Sequence, residues 1–193
     1  CGCQDTTCAT PRWQVQGVKR SSAYNLGSGD GGGTGVCTVN GKTLAFPGAQ
    51  GFGRFASGGR GGEVVFVTNT NDSGPGSLRH AVENVSGPRT VIFRIGGTIN
   101  LSSGIGVNEG DLTIAGQTAP GGGITLKGAG ITVRSENNII RGLRIRPGDG
   151  PGSDPGNRDG FGTRNGSNIM FDHNSVTWAV DENVTLWRGT CDV

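Results

Sequence analysis

Five cysteines are the most reactive side chains of this 193-residue chain, and four of them lie within its first 37 residues. They are Cys1, Cys3, Cys8, Cys37 and Cys191. Clustered cysteines in a secreted chain form disulfides. The first three are also compatible with a metal knuckle, although neither a Cys-x-x-Cys pair nor a nearby histidine accompanies them. Because five is odd, one thiol is free, modified or paired between chains, and Cys191 is the candidate. The pattern predicts a disulfide-stapled N-terminal arm, and a lipid on Cys1 is an alternative use of that residue.

A pair of neighbouring acids, Asp181 and Glu182, directly precedes Asn183 and the predicted strand from Val184 to Trp187. Two adjacent carboxylates pack poorly at the end of a strand unless a partner neutralises their charge. The pair is therefore predicted to belong to a binding site.

Glycine dominates the composition, with 39 residues, whereas hydrophobic residues amount to 32% and aromatic residues to 6%. The glycines punctuate short runs of Val, Ile, Leu and Thr without a three-residue period, which excludes collagen and is typical of strands joined by tight turns. The net charge is only +2 and the 17 basic residues are scattered, which argues against a nucleic-acid partner. The sequence contains no run of about 18 apolar residues that would predict a membrane span. The composition predicts an all-β protein.

The chain divides at about Leu44 into a polar, irregular arm over residues 1–43 and a strand-rich domain over residues 44–193. In the domain, Ser77 is the predicted N-cap of a short helix that ends near Asn84. Such a helix would cover the otherwise open first coil of a solenoid. The predicted strands are 63–68, 90–95, 98–101, 112–115, 124–127, 131–134, 139–145, 169–171 and 184–187.

Short strands with frequent turns suit either a β-sandwich or a parallel β-helix. No two-residue Asn-Gly or Asp-Gly hairpin turn joins consecutive strand-like runs, as a sandwich would favour. Asn138 and Asn168 each precede a pair of apolar residues, and stacked coils would place such asparagines in a ladder. Both observations favour the parallel β-helix.

Three segments resemble the pectate lyases: LTIAGQTAPG at 112–121, NIIRGLRIRPGD at 138–149 and FDHNSVTW at 171–178. Residues 45–53 resemble the N-terminal entry of the same family, and residues 68–79 resemble the start of many β-helix proteins. Together these segments cover about residues 44–190. The resemblance implies a right-handed parallel β-helix that is secreted or lies at the cell surface.

The resemblance also implies a chemistry. Pectate lyases cleave polygalacturonate by β-elimination: Ca²⁺ held by Asp and Glu side chains bridges the substrate carboxylates and acidifies C5, and an unprotonated arginine removes the proton. Calcium takes about six to eight oxygen ligands, so several carboxylates must converge. Asp159 matches a calcium-ligand position of the family, Asp181 and Glu182 stand where later ligands are expected, and Asp149 is a further candidate. Asp149 and Asp159 also lie in a Gly/Pro-rich loop, where aspartates commonly form turns.

Other residues gain candidate roles from the same resemblance. Asp172 and His173 resemble a structural signature beside the cleft, which favours a hydrogen-bonded scaffold role for His173 over that of a general base. Arg144 and Arg146 are candidate contacts for an acidic polysaccharide, although alternate arginines on a strand also describe a solvent-facing row. In the family the proton-abstracting arginine follows the Asp-His segment, on coils that this sequence does not include. The chain is therefore expected to be a piece of a longer lyase or a shortened relative.

Two functions follow as hypotheses. The first is an extracellular protein that binds an acidic polysaccharide with Ca²⁺ and in complete form cleaves it. The second is a non-catalytic structural subunit whose last coil, near Trp187, stacks on another copy into a fibre or surface layer. Four N-glycosylation sequons are acceptor sites for glycans in a eukaryotic secreted protein, and such triplets also arise by chance in a chain rich in Asn, Ser and Thr. Their asparagines are Asn84, Asn100, Asn165 and Asn183.

Overall fold

The structure of the chain is a computed structural model that describes residues 38, 39, 41–150, 156 and 158–193. The predictions made for residues 1–37, including those for Cys1, Cys3, Cys8 and Cys37, lie outside these residues. No helix in the described part of the chain is long and apolar enough to cross a membrane.

Fifteen short strands form most of the described structure. Two of them, β1 (Thr38–Val39) and β2 (Lys42–Thr43), pair antiparallel near the N-terminus. The two residues between them in the sequence are Asn40 and Gly41, so the expectation that no Asn-Gly pair joins two strands was wrong at this place. The first large sheet contains β3 (Glu63–Val67), β4 (Arg89–Phe93), β7 (Leu112–Ala115), β10 (Asn138–Arg141) and β13 (Ile169–Asp172). The second contains β5 (Gly97–Asn100), β8 (Ile124–Lys127), β11 (Leu143–Arg146) and β14 (Ser175–Val176). The third contains β6 (Ile105–Val107), β9 (Ile131–Val133), β12 (Phe161–Thr163) and β15 (Val184–Leu186).

Strands β3 and β4 both belong to the first sheet, with the helix at Leu78–Glu83 between them in the chain. From β4 onward, successive strands belong to different sheets, so that each turn of the chain contributes one strand to each of the three. Every pairing within these sheets is parallel, and each strand pairs with the corresponding strand of the next coil. The architecture is a parallel β-helix, as predicted, and the sandwich alternative is excluded because a sandwich is built from antiparallel sheets.

The core is a set of apolar columns that run along the helix axis. The register aligns Val91 with Ile114 and Ile140 in the first sheet, and Ile99 with Leu126 in the second. All five side chains are fully buried. Parallel strands place like residues at the same height in successive coils, so each coil buries the apolar face of the one before it. Each such side chain contributes about 1.5–3 kcal/mol through removal from water.

A short helix covers the first coil, as predicted from its sequence. Helix α1 spans Leu78–Glu83, and the Ser77 hydroxyl accepts a hydrogen bond from the backbone N–H of His80. Buried Leu78, Ala81 and Val82 face the core. The helical spacing of these apolar residues is why this segment caps the solenoid instead of forming a further strand.

The polar ladder lies one residue away from its predicted position. Asn138 pairs in register with Ile169, so Asn168 stacks on Asn137 instead. The side-chain amide Nδ2 of Asn168 donates to the side-chain oxygen Oδ1 of Asn137 at 3.0 Å. The side-chain amide Nδ2 of Asn137 in turn donates to the Asp111 carboxylate. The three residues have φ values between 52° and 62°, a conformation that Asn and Asp tolerate better than most residues. The ladder therefore occupies a left-handed corner that the strand pattern alone did not locate.

Two further differences concern the strands. The predicted strand 139–145 is two strands, β10 and β11, because Gly142 turns the chain between sheets with φ of 71°. Strands β1, β2, β6, β12 and β14 were not predicted, since runs of two or three residues carry almost no periodic signal.

Candidate functional site: a carboxylate cluster on the third sheet

Three of the predicted metal-ligand residues meet at the side of the third sheet where its strands begin. Asp159 lies two residues before β12, and Asp181 and Glu182 lie just before β15. Because Phe161 pairs with Val184 in a parallel register, Asp159 comes level with Glu182. The backbone fixes this alignment through Gly160 N–H to the Glu182 carbonyl oxygen at 2.9 Å. The Glu182 N–H also donates to the Asp159 carboxylate at 3.3 Å.

The three carboxylates are close enough to act on one ion. One oxygen from each lies within 4.8 Å of the others. A side-chain hydrogen bond with Asp159 raises the pKa of Glu182 above its usual value, and partial desolvation and the charges of Asp181 and Asp159 add to the rise. Asp159 is half-buried, whereas Asp181 and Glu182 are exposed. Hard oxygen donors of this kind suit a divalent cation such as Ca²⁺.

Asp149 does not join this cluster. It is exposed in the loop after β11, and among the described residues only Asp159, Asp181 and Glu182 form a group able to share a metal ion. Its predicted role as a ligand stays a prediction.

The predicted substrate arginines lie on a different sheet from the carboxylates. Arg144 and Arg146 belong to β11 in the second sheet, where Arg144 Nε donates to Thr125 Oγ1 at 3.3 Å and Arg146 donates to the Ser175 carbonyl and hydroxyl oxygens. Both are half-buried. Their assignment to substrate binding stays a prediction, and the geometry gives it no direct connection with the acidic cluster.

Asp172 and His173 form part of a polar cluster at the end of β13. The Asp172 carboxylate accepts from Arg141 Nε at 2.6 Å and contacts His173 Nδ1 at 2.8 Å. The Arg141 guanidinium stacks on the Phe46 ring at 3.6 Å. The contacts of Arg141 tie the N-terminal segment to the first sheet. His173 is largely exposed, and the scaffold role predicted for it stays a prediction.

The remaining candidates are at the surface. The four sequon asparagines are exposed, and so is Cys191, which is a free cysteine. The other four cysteines lie outside the described residues, so the disulfide predictions stay predictions.

A groove on the third sheet contains functional candidates that the sequence reasoning missed. It has a volume of about 370 Å³, and Thr132 and Gly162 lie side by side on its floor. Arg134 and Arg164 directly follow β9 and β12, and Trp187 follows β15, with the Arg164 guanidinium 5.2 Å from the indole ring. The recurrence of an arginine after two aligned strands, 30 residues apart, was the available signal. Without the register of those strands it could not be recognised.

Fold and site together define a parallel β-helix protein with a carboxylate cluster beside a polar groove on one sheet. A probable pectate lyase C of Emericella nidulans is 46% identical over 158 residues, which cover 81% of this chain and 36% of that protein. One from Aspergillus flavus is 47% identical over 144 residues, or 74% of this chain and 33% of the relative. The chain belongs to the pectate lyase family, and it spans about a third of the length of these fungal relatives.

More distant relatives agree with this assignment. Pectate lyase 5 of Ambrosia artemisiifolia is 31% identical over 92% of this chain and 48% of its own length. The crystal structure of jun a 1, the major allergen from cedar pollen, superposes with a TM-score of 0.62 at 26% identity and covers 74% of this chain and 46% of that one. No protein-family model matches the chain. These comparisons give no support to the fibre-forming alternative.

Proposed function

We propose that this chain binds Ca²⁺ through Asp159, Asp181 and Glu182, and that it binds an acidic polysaccharide such as polygalacturonate over the third sheet. The observation that carries the proposal is the convergence of three carboxylates, from two neighbouring coils, beside a polar groove. Membership of the pectate lyase family supports the polysaccharide as the partner.

The residues present fit a calcium ion. All three donors are carboxylates, which calcium prefers. A hydrogen bond with Asp159 raises the pKa of Glu182, and the charges of Asp181 and Asp159 add to the rise. The open side of the cluster leaves positions for oxygen atoms of another molecule, since Asp181 and Glu182 are exposed. When bound, the ion would polarise a substrate carboxylate and so acidify the adjacent carbon.

The cleavage step is a proposal for the whole protein. The relatives named as pectate lyases are about three times as long as the matched segment, and we assign no residue of this chain as the base. The proposed role of this chain is to hold the carboxylates at a fixed separation on rigid strands and to orient the sugar over the sheet.

We further propose that the protein acts outside the cell. Secretion would bring it to an extracellular polysaccharide, would favour disulfides among the N-terminal cysteines, and would make the four exposed sequons available to glycosylation in a eukaryotic host. Mass spectrometry of the secreted protein before and after reduction and enzymatic deglycosylation tests both modifications.

The experiment that tests the proposed function compares binding of polygalacturonate with and without Ca²⁺. The 193-residue chain is expected to be retained by immobilised polygalacturonate in Ca²⁺ and to be released by chelator. Asp159→Asn and Glu182→Gln should weaken retention at least about tenfold, since each removes a charged ligand. Glu136→Gln, at an exposed acid elsewhere on the surface, is the matched control. Retention that ignores both chelator and the two variants would refute the proposal.

A further inference from the structure

A second cavity, with a volume of about 410 Å³, lies at the last coil of the first sheet. The turn Phe52–Phe55 rests directly on β13, because a Cβ at Gly53 would collide with the Ile169 carbonyl oxygen. The volume falls within the range of about 300–1,000 Å³ that is usual for small-molecule sites. None of the lining residues belongs to the third sheet, so the cavity is separate from the carboxylate cluster. They are Lys42, Phe52, Arg54, Phe55, Asn168 and Asp192.

Two cations of this cavity share one aromatic ring and lack an anionic partner. Lys42 Nζ lies 5.5 Å and the Arg54 guanidinium 4.7 Å from the centroid of the Phe55 ring. Arg54 donates to the Gly51 carbonyl oxygen at 3.1 Å. The Lys42 ammonium has no hydrogen bond or ion pair with any residue that the structure describes. Two like charges beside one ring repel each other, and an anion bound between them would relieve the repulsion.

Phe52 and Asp192 add two further kinds of contact to the cavity. Phe52 is 77% exposed, the highest value among the large hydrophobic residues of the described part. Single exposed phenyl rings are common on protein surfaces, but this ring lies beside two unpaired cations and offers a face on which a flat ring can stack. The exposed carboxylate of Asp192 forms no ion pair with Lys42 or Arg54 in the described structure. It is therefore available to accept a hydrogen bond.

We propose that this cavity binds a small aromatic carboxylate that carries a hydroxyl group, of the hydroxycinnamate class. The ligand carboxylate lies between Lys42 and Arg54, its ring stacks on Phe52, and its hydroxyl donates to the Asp192 carboxylate. A doubly charged inorganic anion suits the cavity less well, because Asp192 repels it and Phe52 offers it no contact. A sugar acid lacks a π face and presents several hydroxyl groups to one acceptor. The site does not depend on the calcium cluster.

The test is calorimetric titration of the 193-residue chain with 4-hydroxycinnamate. One molecule is expected to bind per chain. The methyl ester, which has lost the charge, should bind at least about tenfold more weakly, and cyclohexanecarboxylate, which has lost the π face, at least about threefold more weakly. Phe52→Ser and Lys42→Gln, both at exposed positions, should each weaken binding at least about threefold.

Arg94→Gln is the matched control, because exposed Arg94 lies 3.8 Å from the Phe66 ring as a single cation without a second one beside it. Its affinity for the acid should be unchanged. No saturable binding, equal affinity for the acid and either comparison compound, or unchanged affinity in Phe52→Ser or Lys42→Gln would overturn the proposal. Loss of binding in chelator would place the ligand at the carboxylate cluster and overturn it as well. Binding that persists in chelator supports it, whatever the outcome of the polygalacturonate experiment.

Discussion

At the scale of single residues, the site depends on charges placed against one another. Glu182 carries a raised pKa because it shares a hydrogen bond with Asp159 and lies beside two like charges. Repulsion of this kind is tolerated at binding sites because a ligand relieves it. The same repulsion predicts how the metal-free protein responds to pH.

The contribution of Glu182 to the stability of the metal-free chain is expected to decline as pH rises through its raised pKa, and comparison with Glu182→Gln isolates it from that of Asp72, whose lowered pKa acts in the opposite direction. A carboxyl whose pKa is raised in the folded state favours folding while it is protonated, so its contribution is fully present below the usual value of 4.5 and disappears above the raised value. Thermal unfolding in chelator across this range should show the decline. Glu182→Gln should reduce it, Ca²⁺ should offset it at neutral pH, and Glu136→Gln should leave it unchanged. A decline of equal size in Glu182→Gln would contradict this account.

At the scale of elements, Arg89 anchors the capping helix. Its buried guanidinium donates to the carbonyl oxygens of Ala81 and Val82, in the last turn of α1, and to that of Gly87. Burial lowers the pKa of Arg89, and the charge of Glu109 partly offsets the effect. The arginine satisfies carbonyls that the helix itself leaves unpaired.

Replacing Arg89 by methionine is expected to destabilise the protein by about 3 kcal/mol, because carbonyl groups lose charge-assisted hydrogen bonds. Denaturant unfolding measures the change. Arg94→Met is the control, since exposed Arg94 only stacks on Phe66 at 3.8 Å and its loss should cost less than about 1 kcal/mol. Equal effects of the two substitutions would argue against the anchoring role.

Gly142 sets the corner between β10 and β11. Its φ is 71°, and a Cβ there would lie 2.5 Å from the backbone nitrogen of Gln117. Gly142→Ala should therefore cost at least about 1–2 kcal/mol in unfolding free energy from the left-handed conformation alone. Gly150→Ala, where a Cβ meets nothing within 4 Å, should be nearly neutral in the same assay. A neutral Gly142→Ala would mean that this corner is not constrained.

The elements also show what sequence reasoning can reach. Strands β7 and β8 were predicted with the observed bounds, and the cap at Ser77 was confirmed, because four apolar or β-branched residues and an N-cap are local signals. The ladder joins Asn168 to Asn137 instead of Asn138, and Arg134 and Arg164 were not singled out, because register arises from contacts between coils. Convergence of Asp159 with Glu182 was expected from the family resemblance, but their alignment became evident only from the pairing of β12 with β15.

At the scale of the whole molecule, the predicted domain over residues 44–193 is a testable unit. We expect a chain that begins at Leu44 to fold with the β-helix intact, since the columns of core side chains run from Val67 to Ile169. Loss of β1 and β2 should lower the thermal midpoint only slightly, because these strands contribute little more than partly buried Val39 to the packing. Circular dichroism and thermal unfolding, compared with a chain that begins at Thr38, measure the difference. An unfolded 44–193 chain would contradict the domain boundary.

The central claim is that the three carboxylates at the start of β12 and β15 form a calcium site. The most direct measurement is an anomalous difference map from crystals of the 193-residue chain soaked in a lanthanide that substitutes for Ca²⁺. The account predicts a peak bounded by the carboxylates of Asp159, Asp181 and Glu182, which disappears in Asp159→Asn. A well-occupied peak elsewhere, with none at these three residues, would contradict it.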